Sequence, residues 1–142
     1  MLELGFNRRH NRLVKRARNL LAGEAGPTSV FCIVREVPIL PNHWYFWPNQ
    51  GTRIAGNVCH WIDLGVFLIG EHADPERISL SPPIPSTGSS AYCDGERVLT
   101  VIFSDGSLLT VAATDRGDDL RGVQETVEIR RGATTQATAQ SP

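Results

Sequence analysis

Residues 97–114 read RVLTVIFSDGSLLTVAAT, two runs rich in β-branched and apolar residues on either side of Ser104-Asp105-Gly106. An Asp-Gly pair between two such runs is a strong hairpin signal, because it supplies the positive φ that a tight turn requires. The whole run from Ala91 to Asp115 therefore contains two long strands. Both alternating sets of the first strand are apolar or threonine: Val98, Thr100 and Ile102 on one side, Leu99, Val101 and Phe103 on the other. Leu108 to Ala113 repeats the pattern. Strands of this kind are covered on both faces.

The pattern extends in both directions from the hairpin. VQETVEIRR (123–131) reads as a further strand, and RISLSPPI (77–84) as an edge strand, since paired prolines remove ladder donors. TSVFCIVREV (28–37) is a strand ended by Pro38 and Pro41. A short strand opens the chain through Leu2, Leu4 and Phe6. Between them, RRHNRLVKRARNLLAG (8–23) repeats Leu13, Val14, Ala17, Leu20 and Leu21 at helical spacing, with Asn7 as its N-cap and Gly23 as its stop. A second helix runs from Ile54 to Ile69 and stops at Gly70. Its Ile54, Val58, Ile62 and Ile69 are expected to face the sheet. The order β-α-β-α-β-β-β-β specifies an α+β fold, a mostly antiparallel open sheet with two helices on one face. Two helices cover one face only, so the other is expected to serve oligomerisation, giving a dimer or higher homo-oligomer; a sheet curled on itself is the plainer alternative.

Composition narrows the function. The chain has 142 residues, a formal net charge of −1 and 20% charged residues, which fits one globular domain over residues 1–131. The small, polar residues 132–142 read as a flexible tail. No apolar run is long enough for a membrane span or signal peptide. Three widely spaced cysteines, Cys32, Cys59 and Cys93, suit reduced thiols in a cytoplasm and form no zinc pattern.

GTRIAGNVCHWIDLG (51–65) holds the chemical candidates. Gly51 and Gly56 are spaced as in a phosphate loop, but Asn57 and Val58 stand where Lys and Ser or Thr would be needed. His60 and Asp63, three apart, share a helix face, where a carboxylate can orient a proton-transferring imidazole. A structural histidine is the plainer reading of that spacing. His43-Trp44-Tyr45-Phe46-Trp47 reads equally as a lid over a pocket or as a core plug. Arg8, Arg9, Arg12, Lys15, Arg16 and Arg18 make the first helix basic, with no acid among them. A solvated face explains that, and a phosphate or nucleic-acid grip is a lesser alternative.

GFNRR followed by a helix, then GTRIAGNVCHWIDLGVFLIG and FSDGSLLT, resembles the C-terminal domain of the Gfo/Idh/MocA oxidoreductases, from Leu4 to about Arg131. The resemblance implies a domain that lines a sugar or polyol pocket and self-associates through its outer sheet face. It implies His60 as the group exchanging the substrate hydroxyl proton and Asp63 as a structural carboxylate. It sets Asn7, Arg8, Trp44, Asn57 and His60 around the substrate. Complete members add a Rossmann domain and a Glu-Lys-Pro turn, and neither motif occurs in these residues. Gly56 and Asn57 stand where many members carry carboxylates, so an acidic ligand attracted by Arg8 is expected to fit better than a neutral sugar. The chain alone is thus expected to bind no cofactor and to be no complete dehydrogenase. NAD(P) would enter only with a separate Rossmann subunit or as part of a longer protein. A closed, vestigial pocket filled by Trp44 and Trp47 is the alternative.

Overall fold

The computed structural model describes residues 5–37, 42, 47, 54–70, 72–82, 97–114, 122–132 and 135–140. A 3-10 turn, Asn7–His10, leads into helix α1 (Arg12–Leu21). Asn11, rather than Asn7, caps α1: its side chain accepts from the Leu13 amide at 2.8 Å. The intervening 3-10 turn moves the helix start four residues along. Strand β1 (Thr28–Arg35) follows, then a π-helical turn, Ile54–Val58, running into helix α2 (Cys59–Ile69). Gly70, at φ 111°, ends α2 in a conformation that favours glycine. The remaining strands are β2 (Pro75–Leu80), β3 (Arg97–Phe103), β4 (Leu108–Thr114), β5 (Gln124–Arg131) and β6 (Thr135–Gln140). The opening strand through Leu2 and Leu4 lies outside the described residues.

The fold is α+β. Its six strands form one mixed sheet in the order β2-β3-β4-β1-β5-β6, antiparallel except for the β1–β4 pair. The β3–β4 hairpin turns at Gly106, φ 83°. Asp105 shapes the turn, accepting from the Ser107 amide at 2.8 Å and the Ser107 hydroxyl at 2.9 Å. The Ser107 hydroxyl oxygen accepts in turn from the Thr28 amide at 2.8 Å, tying the hairpin to the start of β1. Partial burial disfavours the charged form of Asp105. The Ser107 hydrogen bonds and nearby His72 outweigh it and hold the carboxyl below its ordinary value. β2 is the expected edge strand, exposed along its length. The tail expected to be flexible instead supplies β6, paired antiparallel with β5 from Arg131↔Thr135 to Thr126↔Gln140.

Helix α2 packs on β1 and β4. Its sheet side is Trp61, Leu64, Leu68 and Ile69, all buried against Val30, Cys32, Leu99, Val101, Leu109 and Val111. Ile62, expected on that side, is only half-buried at the edge of the core, because a 100° turn per residue carries it well away from Leu64. Gly65 is buried where α2 meets β4; a Cβ there would lie 2.5 Å from Leu109 Cδ1. Burial thus divides the two apolar sets of β3: Leu99, Val101 and Phe103 face the helices, while Val98 and Ile102 remain exposed.

Candidate functional site

The 3-10 turn sets two consecutive arginines at the side of α2, and each finds a carboxylate. Arg9 grips Asp63 with two donors, Nε to Oδ2 at 2.6 Å and Nη2 to Oδ1. The Asp63 side chain is 7% exposed and that of Arg9 40% exposed, so water reaches the pair from the arginine side. Arg8 forks onto Glu125 of β5, Nη1 to Oε2 at 2.7 Å and Nη2 to Oε1 at 2.5 Å. The Arg8 guanidinium also stacks on Trp61, with Cζ 3.8 Å from the ring centroid. Two arginines meet two carboxylates, and these pairs leave the site no surplus charge.

His60 stands at the start of α2, half-buried, with the Phe6 ring 5.4 Å away at an interplanar angle of 80°. That edge contact orients the imidazole; the expected orienting carboxylate, Asp63, is taken by Arg9. Beside this contact lies an open groove of about 330 Å³ lined by Phe6, Cys59, Ile62, Asp63 and Val66. Asn57 is half-buried in the π-helical turn, and Asn7 is exposed at the start of the 3-10 turn. Cys32 lies beneath the Arg8–Glu125 pair. Burial pushes its thiol up to about 12, with Arg8 acting weakly the other way and Glu125 adding to the rise.

Among the expected site residues, His60 meets Phe6, and Asp63 lines the groove that Phe6 also borders. Arg8 is already paired, which removes the free cation on which the preference for an acidic ligand rested. Trp44 lies outside the described residues, with the rest of 43–46, and Trp47 is 60% exposed. Phe6, Trp61 and Glu125 complete the site without having been singled out in the sequence. Phe6 carried a readable signal, adjoining Asn7-Arg8-Arg9 in GFNRR. Glu125, 117 residues from Arg8, carried none. Among the described residues no three His, Cys, Asp or Glu side chains gather to hold a metal, and no helix is long and apolar enough to cross a membrane. Among the described residues, α1 begins at the Asn11 cap and α2 continues a π-helical turn.

No protein-family model and no curated protein matches the sequence. Solved structures do match its fold. A myo-inositol dehydrogenase from Corynebacterium glutamicum superposes with a TM-score of 0.77 at 17% identity, over 96% of this chain and 40% of that one. An oxidoreductase domain protein from Kribbella flavida gives 0.74 at 21% identity, over 96% and 40%. A myo-inositol dehydrogenase from Lactobacillus casei, in complex with NAD(H) and myo-inositol, gives 0.69 at 17% identity, over 96% and 38%. The fold is therefore that of a portion of Gfo/Idh/MocA-type dehydrogenases, and the chain spans about two fifths of their length.

Proposed function

We propose that this chain is the substrate-side and self-association domain of a Gfo/Idh/MocA-type oxidoreductase, without catalysis unless a dinucleotide-binding domain is supplied. The observation that carries the reading is the near-complete superposition of this chain on two fifths of sugar and polyol dehydrogenases. A hydride must come from a nicotinamide, and the described residues build no turn that fits one. In this reading His60 is the proton-exchanging group of a substrate wall, to which Asn57 and Asn7 contribute hydrogen-bonding groups. With Arg8 and Arg9 both neutralised, the ligand in this reading is a neutral hydroxylated molecule rather than an acid. The sheet side opposite the helices supplies the self-association surface through Phe31, Ile33, Val98 and Ile102.

Two titrations test this. Calorimetry with NAD(H) and NADP(H) should show no micromolar affinity for the chain alone, and micromolar binding would overturn the reading. Proton NMR of His60 during titration with polyols and sugar acids should show shifts for a polyol and none for an acid. If no ligand moves the His60 resonances, and His60→Ala leaves all binding unchanged, the substrate-wall assignment is wrong.

A further inference from the structure

The structure sorts the six basic residues between positions 8 and 18 into two sets. Arg8 and Arg9 are held by Glu125 and Asp63, and Arg18 lies with its Cζ 4.2 Å from the Phe67 ring centroid. Arg12, Lys15 and Arg16 are exposed, and no hydrogen bond, ion pair or ring contact engages them among the described residues. Spaced i, i+3 and i+4, they crowd one turn of α1 opposite its buried line Val14, Ala17 and Leu21. No acid in the helix offsets them. Beside them stand two more residues that the fold leaves unused. Leu13 and Leu20, seven apart, are 55% and 56% exposed, with Arg16 between them on the same flank.

We propose that this outer face of α1 docks an acidic amphipathic helix of another protein. Two leucines one heptad apart form the short apolar seam that a second helix can pack against, and cations beside the seam pair with acids at its flanking positions. The positive crest selects the sign of the partner, and the leucines select its class. A nucleic-acid backbone would neutralise Arg12, Lys15 and Arg16 but leave both leucines in water. A second copy of the chain offers no such helix among the described residues, since α1 is basic and α2 has its acid, Asp63, buried under Arg9. A helix of ten residues is about 15 Å long, so the contact is small, weak and sensitive to salt.

The probe is a synthetic helix of about three heptads, with Leu at the seam and Glu at the flanking positions, titrated with the full chain by fluorescence anisotropy. Binding is expected at about 50 mM salt and should weaken about tenfold or more by about 500 mM. The charge-reversed chain R12E/K15E/R16E should not bind, and L13S/L20S should bind at least about tenfold more weakly. None of these side chains is buried, so far-UV circular dichroism and Tm should match the parent. A peptide with Lys in place of Glu should not bind. The proposal is overturned if the Glu peptide fails to bind, or if L13S/L20S binds it as well as the parent does. It is equally overturned if duplex DNA or phosphatidylserine vesicles bind more tightly than the peptide and L13S/L20S leaves that binding unchanged.

Discussion

Arg9 and Asp63 stand 54 positions apart, yet they close on each other through two donors. The carboxylate is buried and the guanidinium half in water, so removing Arg9 strands a charge that water can partly recover. Arg9→Met should therefore lower stability by about 2 kcal/mol, below the 3–5 kcal/mol of a fully buried broken pair, as read by urea denaturation. Cys32 carries a second expectation. Its thiol is raised to about 12 from an ordinary 9.0, so the folded state holds its proton more tightly than the unfolded chain. That contribution is complete below pH 9 and is lost as pH rises toward 12. Stability measured across that window should fall, and Cys32→Ala should flatten the fall. Iodoacetamide should label Cys59, which lines an open groove, and spare Cys32. Individual residue types were legible in the sequence: His60, Asn57 and Arg8 stood out because their chemistry differs from that of their neighbours. Their partners were not legible. No spacing rule links Arg8 to Glu125 or frees His60 from Asp63, since those pairings depend on where β5 and the 3-10 turn come to rest.

Elements are joined by Arg131 at the end of β5. Its Nε donates to Thr28 Oγ1 at 2.7 Å, Nη1 to the Leu21 carbonyl at 3.0 Å and Nη2 to the Ile69 carbonyl at 3.3 Å. One cation thus sits at the C-terminal ends of both helices, where their dipoles favour positive charge. Arg131→Met should lower stability by about 2 kcal/mol, and a thermal melt will read it. Gly65→Ala is the second test at this scale. Alanine would gain up to about 1 kcal/mol in helix propensity, but its Cβ meets the fully buried Leu109 at 2.5 Å, and overpacking of that kind costs about 1–3 kcal/mol. The clash wins, and Tm should drop. Most strands and both helices were readable because apolar period and turn residues agree along them. β6 was not. Its TQATAQ carries no apolar alternation, and backbone pairing with β5 holds it in the sheet. The parallel β1–β4 pair was equally hidden, because strand patterns carry no statement about which strand lies beside which.

For the whole molecule, the open face of the sheet matters most. Phe31, Ile33, Val98 and Ile102 are each 36–42% exposed, on strands β1 and β3 with β4 between them. Polar Glu128 and Arg130, paired to each other at 2.6 Å, border the patch on β5. An apolar centre with a polar border is the pattern of a self-association surface. Light scattering at micromolar concentration is expected to give a dimer, and a monomer would refute the face-to-face arrangement. Ile102→Asp should yield monomer, with helix content unchanged because the residue faces away from α2. The two-faced pattern of Val98–Phe103 had already suggested a second cover. Which set faces outward could be decided only once α2 had taken Leu99, Val101 and Phe103.

The position of β1 governs the order of assembly. This strand ends at Arg35, but its two neighbours, β4 and β5, span 108–114 and 124–131. During synthesis it must wait, unpaired, through the roughly eighty residues that separate Ser29 from its partner Leu108 before either edge is satisfied. Loop closure over that distance precedes any reward from contacts, so refolding should run in milliseconds to seconds rather than microseconds. Far-UV signal and tryptophan fluorescence should rise together in a stopped-flow trace, since neither helix gains its Arg131 cap until the same late event.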